Sequence, residues 1–518
     1  MATATQTPAQ TDSAKPLSAA AFAHATVTEH PRELLRQMFA TRDAGQRHII
    51  ARVKRFRERI ISDATLRADL LARPQDAQAI CDAAGIQADA EAWRSAWDAK
   101  AYHAPDRAER WPEAELFHQW MTDMIAHRDA LMALGNAPAA DPRFLAWRAR
   151  QVIRACGETR LVGSAISHPV AAYELASGCS VGCWFCGLAA ERLTGHAPYT
   201  EQNATMWRGM LGHMVARFGE AAQTGFCYWA TDPMDNPEYH RFIADHLEIT
   251  GFLPQTTTAA PLKDVDQIRR ILTLFGEEGC IVNRFSILSL KQLRQVHETF
   301  TPDELLGVEL VPQMKGSLVT KAAAGRTRDR RRKLEEKSEG SSADINVIET
   351  GQSTIACVTG FLVNMIDRSV KLVSPCRASE RWPLGYRVYD EGRFEDAAGY
   401  AAEVDRMIAT HMVLSPPDDR IVAFRGDFII EDQPDGCDLT AGPYLHRLRG
   451  TGYLPRMVAL IREARHTAAE LTGILTAEGM PLFDAAMTLQ HLFDEGLLDD
   501  EPEPEGANAP PLSATKAA

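Results

Sequence analysis

The sequence predicts an α/β chain: a partial (β/α) barrel set between a helical N-terminal domain and a strand-plus-helix C-terminal cap. Three observations carry this. Helix-period apolar patterns fill residues 33–156, short apolar runs alternate with helical stretches over 171–311, and helical periodicity returns over 453–499. Repeated βα units build a parallel sheet, and sites on such sheets lie at the C-terminal ends of the strands.

The N-terminal part rests on recurrence at three, four and seven residues, by Phe39, Ile49, Val53, Phe56 and Ile60 and again by Leu116, Trp120, Met124 and Ile125. In the barrel region, strands are expected over 171–176, 226–230, 254–258, 281–288 and 307–311, with helices over 201–222, 237–250, 265–275 and 290–299. Residues 354–374 read as two strands joined by a turn at 365–369. The ending GMPLFDAAMTLQHLFDEGLLDD has a helix–turn–helix rhythm with an acidic rim. The expected division is 1–32 disordered, 33–160 helical domain, 165–350 barrel, 351–430 strand region, 431–500 helical cap and 501–518 disordered tail. Both ends are rich in Pro, Ala and polar residues and bury too little to order themselves. The run RTRDRRRKLEEKSEGSS at 326–342 reads either as a solvated helix or loop, or as a basic edge that steers an acidic peptide.

Bulk properties exclude some functions. A chain of 518 residues exceeds one ordinary core. A net charge of −13 argues against nucleic-acid binding, which needs a basic face. No apolar run approaches the roughly 20 residues that span a bilayer. Ten cysteines without an export signal are expected to be reduced thiols or metal ligands in a cytoplasmic protein.

The stretch AAYELASGCSVGCWFCGL carries the chemistry. Cys179, Cys183 and Cys186 follow a strand on a loop that Gly178, Gly182 and Gly187 open. Three thiolates there can reach three irons of a 4Fe–4S cubane and leave the fourth open. Zinc is the competing reading, but a closed structural zinc site takes four ligands, often on two CxxC knuckles, and the chain has no second knuckle.

The spacing C-x3-C-x2-C after a strand, with the aromatic Phe185 before the last cysteine, resembles the radical S-adenosylmethionine (SAM) superfamily. That resemblance implies a partial radical SAM barrel, a 4Fe–4S cluster on Cys179, Cys183 and Cys186, and SAM bound through its amino and carboxylate groups at the open iron. It implies reductive cleavage of SAM by an electron from a donor such as a flavodoxin or ferredoxin. The family's next strand end usually carries a glycine/glutamate motif for the SAM amino group. Here TDPMDNPEY departs from it, and the role is carried to Thr231 and Asp232, with helix capping the alternative for Asp232. Thr257, Ser286 and Gln313 stand at expected strand ends and are candidate SAM contacts by position.

Two segments, ELASGCSVGCWFCGLAA and LVSPCRASERWPLGYRVYDEGRF, resemble the proteusin-type peptide epimerases that mature ribosomally made natural products. The resemblance spans residues 174–394. It implies an isomerase that takes the Cα hydrogen of an L-residue in a precursor peptide bearing a leader, and returns hydrogen from a cysteine, matched here by Cys376, to give the D-residue. SAM is then consumed as a cosubstrate. A small buried core cysteine is the alternative for Cys376; its neighbours Pro375 and Arg377 favour a fixed, exposed thiol. Cys227, Cys280 and Cys357 read as core. The few later cysteines argue against a second cluster, and no cobalamin region is apparent. Residues 56–97 weakly resemble precursor leaders, with an ordinary helical hairpin as the alternative. Rival readings are another radical SAM peptide modifier, by C-methylation or thioether formation, and a non-catalytic iron–sulfur leader-binding protein.

Overall fold

Pro31 opens helix α1 (Pro31–Ala40), where its missing N–H leaves nothing unpaired. A reciprocal cap between Asp43 and Gln46 starts α2 (Ala44–Ser62). With α3 (Pro112–Leu134) these helices enclose the first core, where Leu35, Val53, Phe56, Ile60, Trp93 and Trp120 are buried. The computed structural model describes residues 23–159, 166–278, 282–314, 316–319, 321–337, 350–352, 354–450 and 452–502.

Several expectations for this region change. Residues 23–30 are packed, not disordered: Ala23 is 2% exposed beside Val152, Ile153 and Cys156, and His30 Nε2 bonds Gln223 Oε1 at 3.0 Å. Composition hides this because the alanine acts by filling a gap. Residues 1–22, the tail 503–518, Cys280 and the part of the basic run at 338–342 lie outside the described residues. Ile125 is exposed, not core. Leu66, Leu70, Ile80 and Cys81 of the leader-like segment are buried in the first core, whereas Leu71 is exposed.

Helix α4 (Pro142–Thr159) leads into β1 (Ala171–Glu174), β2 (Ala176–Ser177) and β3 (Gly195–His196). Helices α5 (Glu201–Phe218), α6 (Tyr239–Thr250), α7 (Val265–Glu278) and α8 (Leu290–Thr299) alternate with β4 (Thr257–Thr258), β5 (Asn283–Ile287) and β6 (Val308–Pro312), which form a parallel sheet. The expected strand at 226–230 is reduced to one parallel bridge, Ala172 to Phe226. At its far end the Ala230 N–H donates to the Glu174 side chain at 2.9 Å.

After β7 (Lys321–Ala322), α9 (Gly325–Lys337) and β8 (Thr350–Gln352) come β9 (Gly360–Asn364), β10 (Ser369–Pro375) and β11 (Tyr386–Arg393). β9 joins β1 in parallel, and β10 and β11 extend that sheet antiparallel, giving the order β1-β9-β10-β11. The architecture is mixed α/β. No continuous pairing closes these sheets into a barrel among the described residues.

Helix α10 (Ala397–His411) was not expected. The expected helical cap instead begins with three antiparallel strands, β12 (Ile429–Gln433), β13 (Gly436–Ala441) and β14 (Tyr444–Arg449), before α11 (Leu454–Glu463), α12 (Ala468–Ala477) and α13 (Leu482–Asp494). Pro434 and Asp435 turn the first hairpin. Gly436, at φ 154°, is required there because a Cβ would lie 2.0 Å from the Leu448 carbonyl oxygen. No helix of the described residues is long and apolar enough to cross a membrane.

An ion network ties α4 to this C-terminal unit. Arg154 bonds Glu158 at 2.7 Å, Asp500 at 2.7 Å and Glu501 at 3.0 Å, and Arg387 reaches Glu158 at 2.5 Å. Glu501, expected in the disordered tail, is thus pinned. Burial alone would raise the Glu158 and Asp500 carboxyls, but Arg154, helped by Arg387 at Glu158 and Arg150 at Asp500, holds both below their ordinary 4.5 and 3.8. Stability from lowered carboxyls is present above those ordinary values and is lost as pH falls through the lowered ones. Glu174 and Asp232, raised by burial, act in the opposite sense. Replacing Arg154 removes the cation that Glu158, Asp500 and Glu501 share, leaving Glu158 only Arg387, so Arg154→Met should cost about 3 kcal/mol at pH 7 and less near pH 3, measured by urea unfolding. An equal loss at both pH values would refute this assignment.

Candidate functional site

The loop that leaves β1 has almost no regular structure, so other elements must fix it. Gly178 (φ 76°) turns it tightly enough that a Cβ would sit 2.3 Å from the Arg192 carbonyl oxygen. The Cys179 N–H then donates to Glu191 O at 2.9 Å. At the Cys179 end, the buried Asp235 accepts from the Ser180 N–H at 2.8 Å and the Ser180 hydroxyl at 2.5 Å, and pairs with Lys263 at 2.5 Å. At the Cys186 end, α9 closes on the loop. Its Arg326 N–H donates to Cys186 O at 3.0 Å, the Arg326 guanidinium to Cys183 O at 2.8 Å, and Thr327 Oγ1 to Phe185 O at 3.0 Å.

Cys179, Cys183 and Cys186 are all half-buried. Burial raises Cys179, against the pull of the Val181 and Gly182 N–H groups. Burial, with Cys186 and Cys179 close by, pushes Cys183 up to about 12. The Ala190 N–H donates to Cys186 Sγ at 3.4 Å. Three soft thiols with amide donors aimed at sulfur fit an iron–sulfur cluster, whose sulfurs are tuned by such hydrogen bonds. Among the described residues no three His, Cys, Asp or Glu side chains converge to hold one metal ion. A cubane takes each thiolate at a different iron and does not need that convergence.

The other expected residues divide. Phe185 stands in the loop, its ring edge-on to Trp184 at 5.4 Å. Asp232, close enough to act on Cys179 and Cys183, has its carboxylate taken by Thr258 Oγ1 at 2.7 Å, the Ala259 N–H at 2.7 Å and the Met234 N–H at 2.9 Å. The capping role is therefore the observed one. Thr231 Oγ1 is buried with no hydrogen-bond partner. Thr257 Oγ1 donates to Tyr228 OH at 2.8 Å. Ser286 lies on the half-exposed side of β5 and Gln313 one residue past β6, its N–H bonded to Ile287 O at 2.7 Å.

Cys376 requires a correction: the thiol expected to be exposed is 0% exposed. Burial raises it to about 12, and its charged neighbours are Arg387, Glu158, Glu501 and Arg154. It shares a sheet face with Ser374, whose hydroxyl reaches Gln151 of α4 at 3.1 Å. It follows the end of β10 beside the start of β9, where Val373 faces Gly360, whereas the cysteine loop leaves β1 level with Asn364. Cys357 is buried in the small cluster with Phe226, Tyr228 and Trp229.

No family profile and no solved structure matches this sequence. It is 41% identical over 483 residues to the uncharacterized protein y4wI of Sinorhizobium fredii, across 90% of this chain and 91% of that protein. The chain belongs to the y4wI family.

Sequence reasoning about this y4wI relative missed a polar row beside the expected contacts. Arg284 pairs with Glu309 at 2.7 Å and reaches Gln255 at 3.3 Å, and Gln255 meets Tyr228 OH at 3.1 Å. The signal was present: charged residues alternate with apolar ones in NRFSI and VELVP, as on strands whose second face meets a polar interior. If Gly178 sets the loop, Gly178→Ala should cut iron and sulfide bound after anaerobic reconstitution by more than half, with far-UV circular dichroism unchanged. Full iron content in that variant would show that the turn is dispensable.

Proposed function

We propose that this protein is a radical SAM enzyme acting on a ribosomally made precursor peptide, with L-to-D inversion as the change the sequence resemblance favours. The observation that carries the reading is the three-thiol loop at the end of β1, fixed from both ends, with Asp232, the residue after Thr231, close enough to act on Cys179 and Cys183. Cys179, Cys183 and Cys186 would hold the 4Fe–4S cluster, and Thr231 would meet the polar end of SAM. A bound cluster and SAM would supply an adenosyl radical able to take a Cα hydrogen. The half-exposed row from Thr257 to Ser286 and Arg284 would orient the substrate or the SAM ribose.

A specific observation favours a second reading, a different radical SAM change to the same class of peptide. Hydrogen return by Cys376 needs its thiol to meet the peptide, and Cys376 is buried in the ion layer against α4.

Anaerobic reaction in deuterated water with SAM, dithionite and precursor peptide tests both. The wild type should form 5′-deoxyadenosine, and Cys183→Ala should form less than about a hundredth as much; comparable amounts would refute the proposal. One deuterium per changed residue and no other mass supports inversion, whereas an added methyl or lost hydrogens supports the second reading. Cys376→Ala should lower stability by about 1 kcal/mol and, under the second reading, leave the yield of modified peptide unchanged. A wild type that incorporates deuterium and a Cys376→Ala variant that forms normal 5′-deoxyadenosine without deuterium would instead make Cys376 the hydrogen donor.

A further inference from the structure

Helix α9 is locally basic in an acidic protein. From Arg326 to Lys333 it carries six cationic side chains against Asp329, in a chain of net charge −13. The first of them is structural: Arg326 is spent on the carbonyls of Cys183 and Ala190. The later ones face outward, with Arg330, Arg332 and Lys333 exposed. Arg332 meets Glu336 at 3.7 Å, a surface pair with little hold on either partner. The Arg330 guanidinium lies 4.9 Å from the ring centre of Trp184, which sits next to Cys183 and is 40% exposed. The basic patch and an exposed aromatic therefore adjoin the three-cysteine loop. Trp and Arg are enriched at interfaces, and the charge of this patch selects an acidic partner.

We infer that α9 and Trp184 form the docking surface for a small acidic one-electron carrier protein, of flavodoxin or ferredoxin type, that reduces the cluster. This rests on the radical SAM reading, because a cluster that cleaves SAM must be recharged from outside. Electron transfer weakens steeply with distance, so the carrier must approach the thiol loop. α9 concentrates positive charge beside the loop where the electron is needed.

The test uses the full chain, reconstituted anaerobically, with oxidised flavodoxin as probe. Titration calorimetry should give a Kd for Arg330→Glu/Arg332→Glu/Lys333→Glu at least about tenfold weaker than for the wild type at low salt. The gap should close as salt is raised, since screening acts within about 10 Å at 0.1 M. Iron content and dithionite-driven 5′-deoxyadenosine formation should match the wild type. The neutral triple variant, with Gln at the same three positions, should lose less and serves if the reversed one fails to fold. An unchanged flavodoxin Kd with normal dithionite-driven cleavage overturns the docking surface alone. So does lost affinity for an acidic leader peptide with flavodoxin affinity kept, which assigns the patch to substrate. A fall in dithionite-driven cleavage would make α9 merely a brace for the loop, again against the inference. A wild type that forms no 5′-deoxyadenosine with dithionite sinks the radical SAM reading beneath it.

Discussion

The arrangement of this molecule turns on a two-ended clamp. A loop that bends at Gly178 and Gly182 has little ladder of its own, and its three thiols keep their places only while both ends are held. Asp235 holds one end through Ser180, and Arg326 with Thr327 holds the other through backbone carbonyls. Asp235 follows the strand-like segment that ends at Ala230, and Arg326 opens α9. Those elements are set in turn by the packing of α5 to α8 around the two sheets. The clamp therefore converts the burial of an extended core into the position of three sulfurs.

The two faces of the β1-β9-β10-β11 sheet divide the remaining work. Against α4 lies the ion layer of Arg154, Glu158 and Arg387, which fastens residues 499–501 and encloses Cys376. On the other face, Ala172, Leu362 and Val373 join Phe226, Tyr228 and Trp229, with Tyr386 packed 5.7 Å from Trp229. A side chain's face on this sheet decides whether it belongs to stability or to the neighbourhood of the cysteine loop. That is why the position of Cys376 bears on which peptide change is proposed.

Much of this was legible in the sequence where the signal is local. The helices starting at Glu201, Val265 and Leu290, the turn before Ser369 and the cysteine loop all follow from periodicity, caps and glycine. The misses share a cause, since each depends on partners distant in the chain. Asp232 is satisfied by Thr258 and Ala259, Cys376 is covered by residues from α4 and the C-terminus, and the Ala230 N–H is taken by Glu174. The three strands of 429–449 escaped because charged residues and exposed Ile429 and Leu445 share their outward positions, so no clean apolar alternation marks them.

The central claim is that the clamped thiols hold a cubane with one iron left for SAM. Electron paramagnetic resonance of the reconstituted, dithionite-reduced protein tests it most directly. The account predicts a reduced 4Fe–4S signal in the wild type whose g values shift when SAM is added, and no such signal in a variant lacking the three cysteines. A signal indifferent to SAM, or a protein that binds zinc in that loop and forms no cluster, would contradict it.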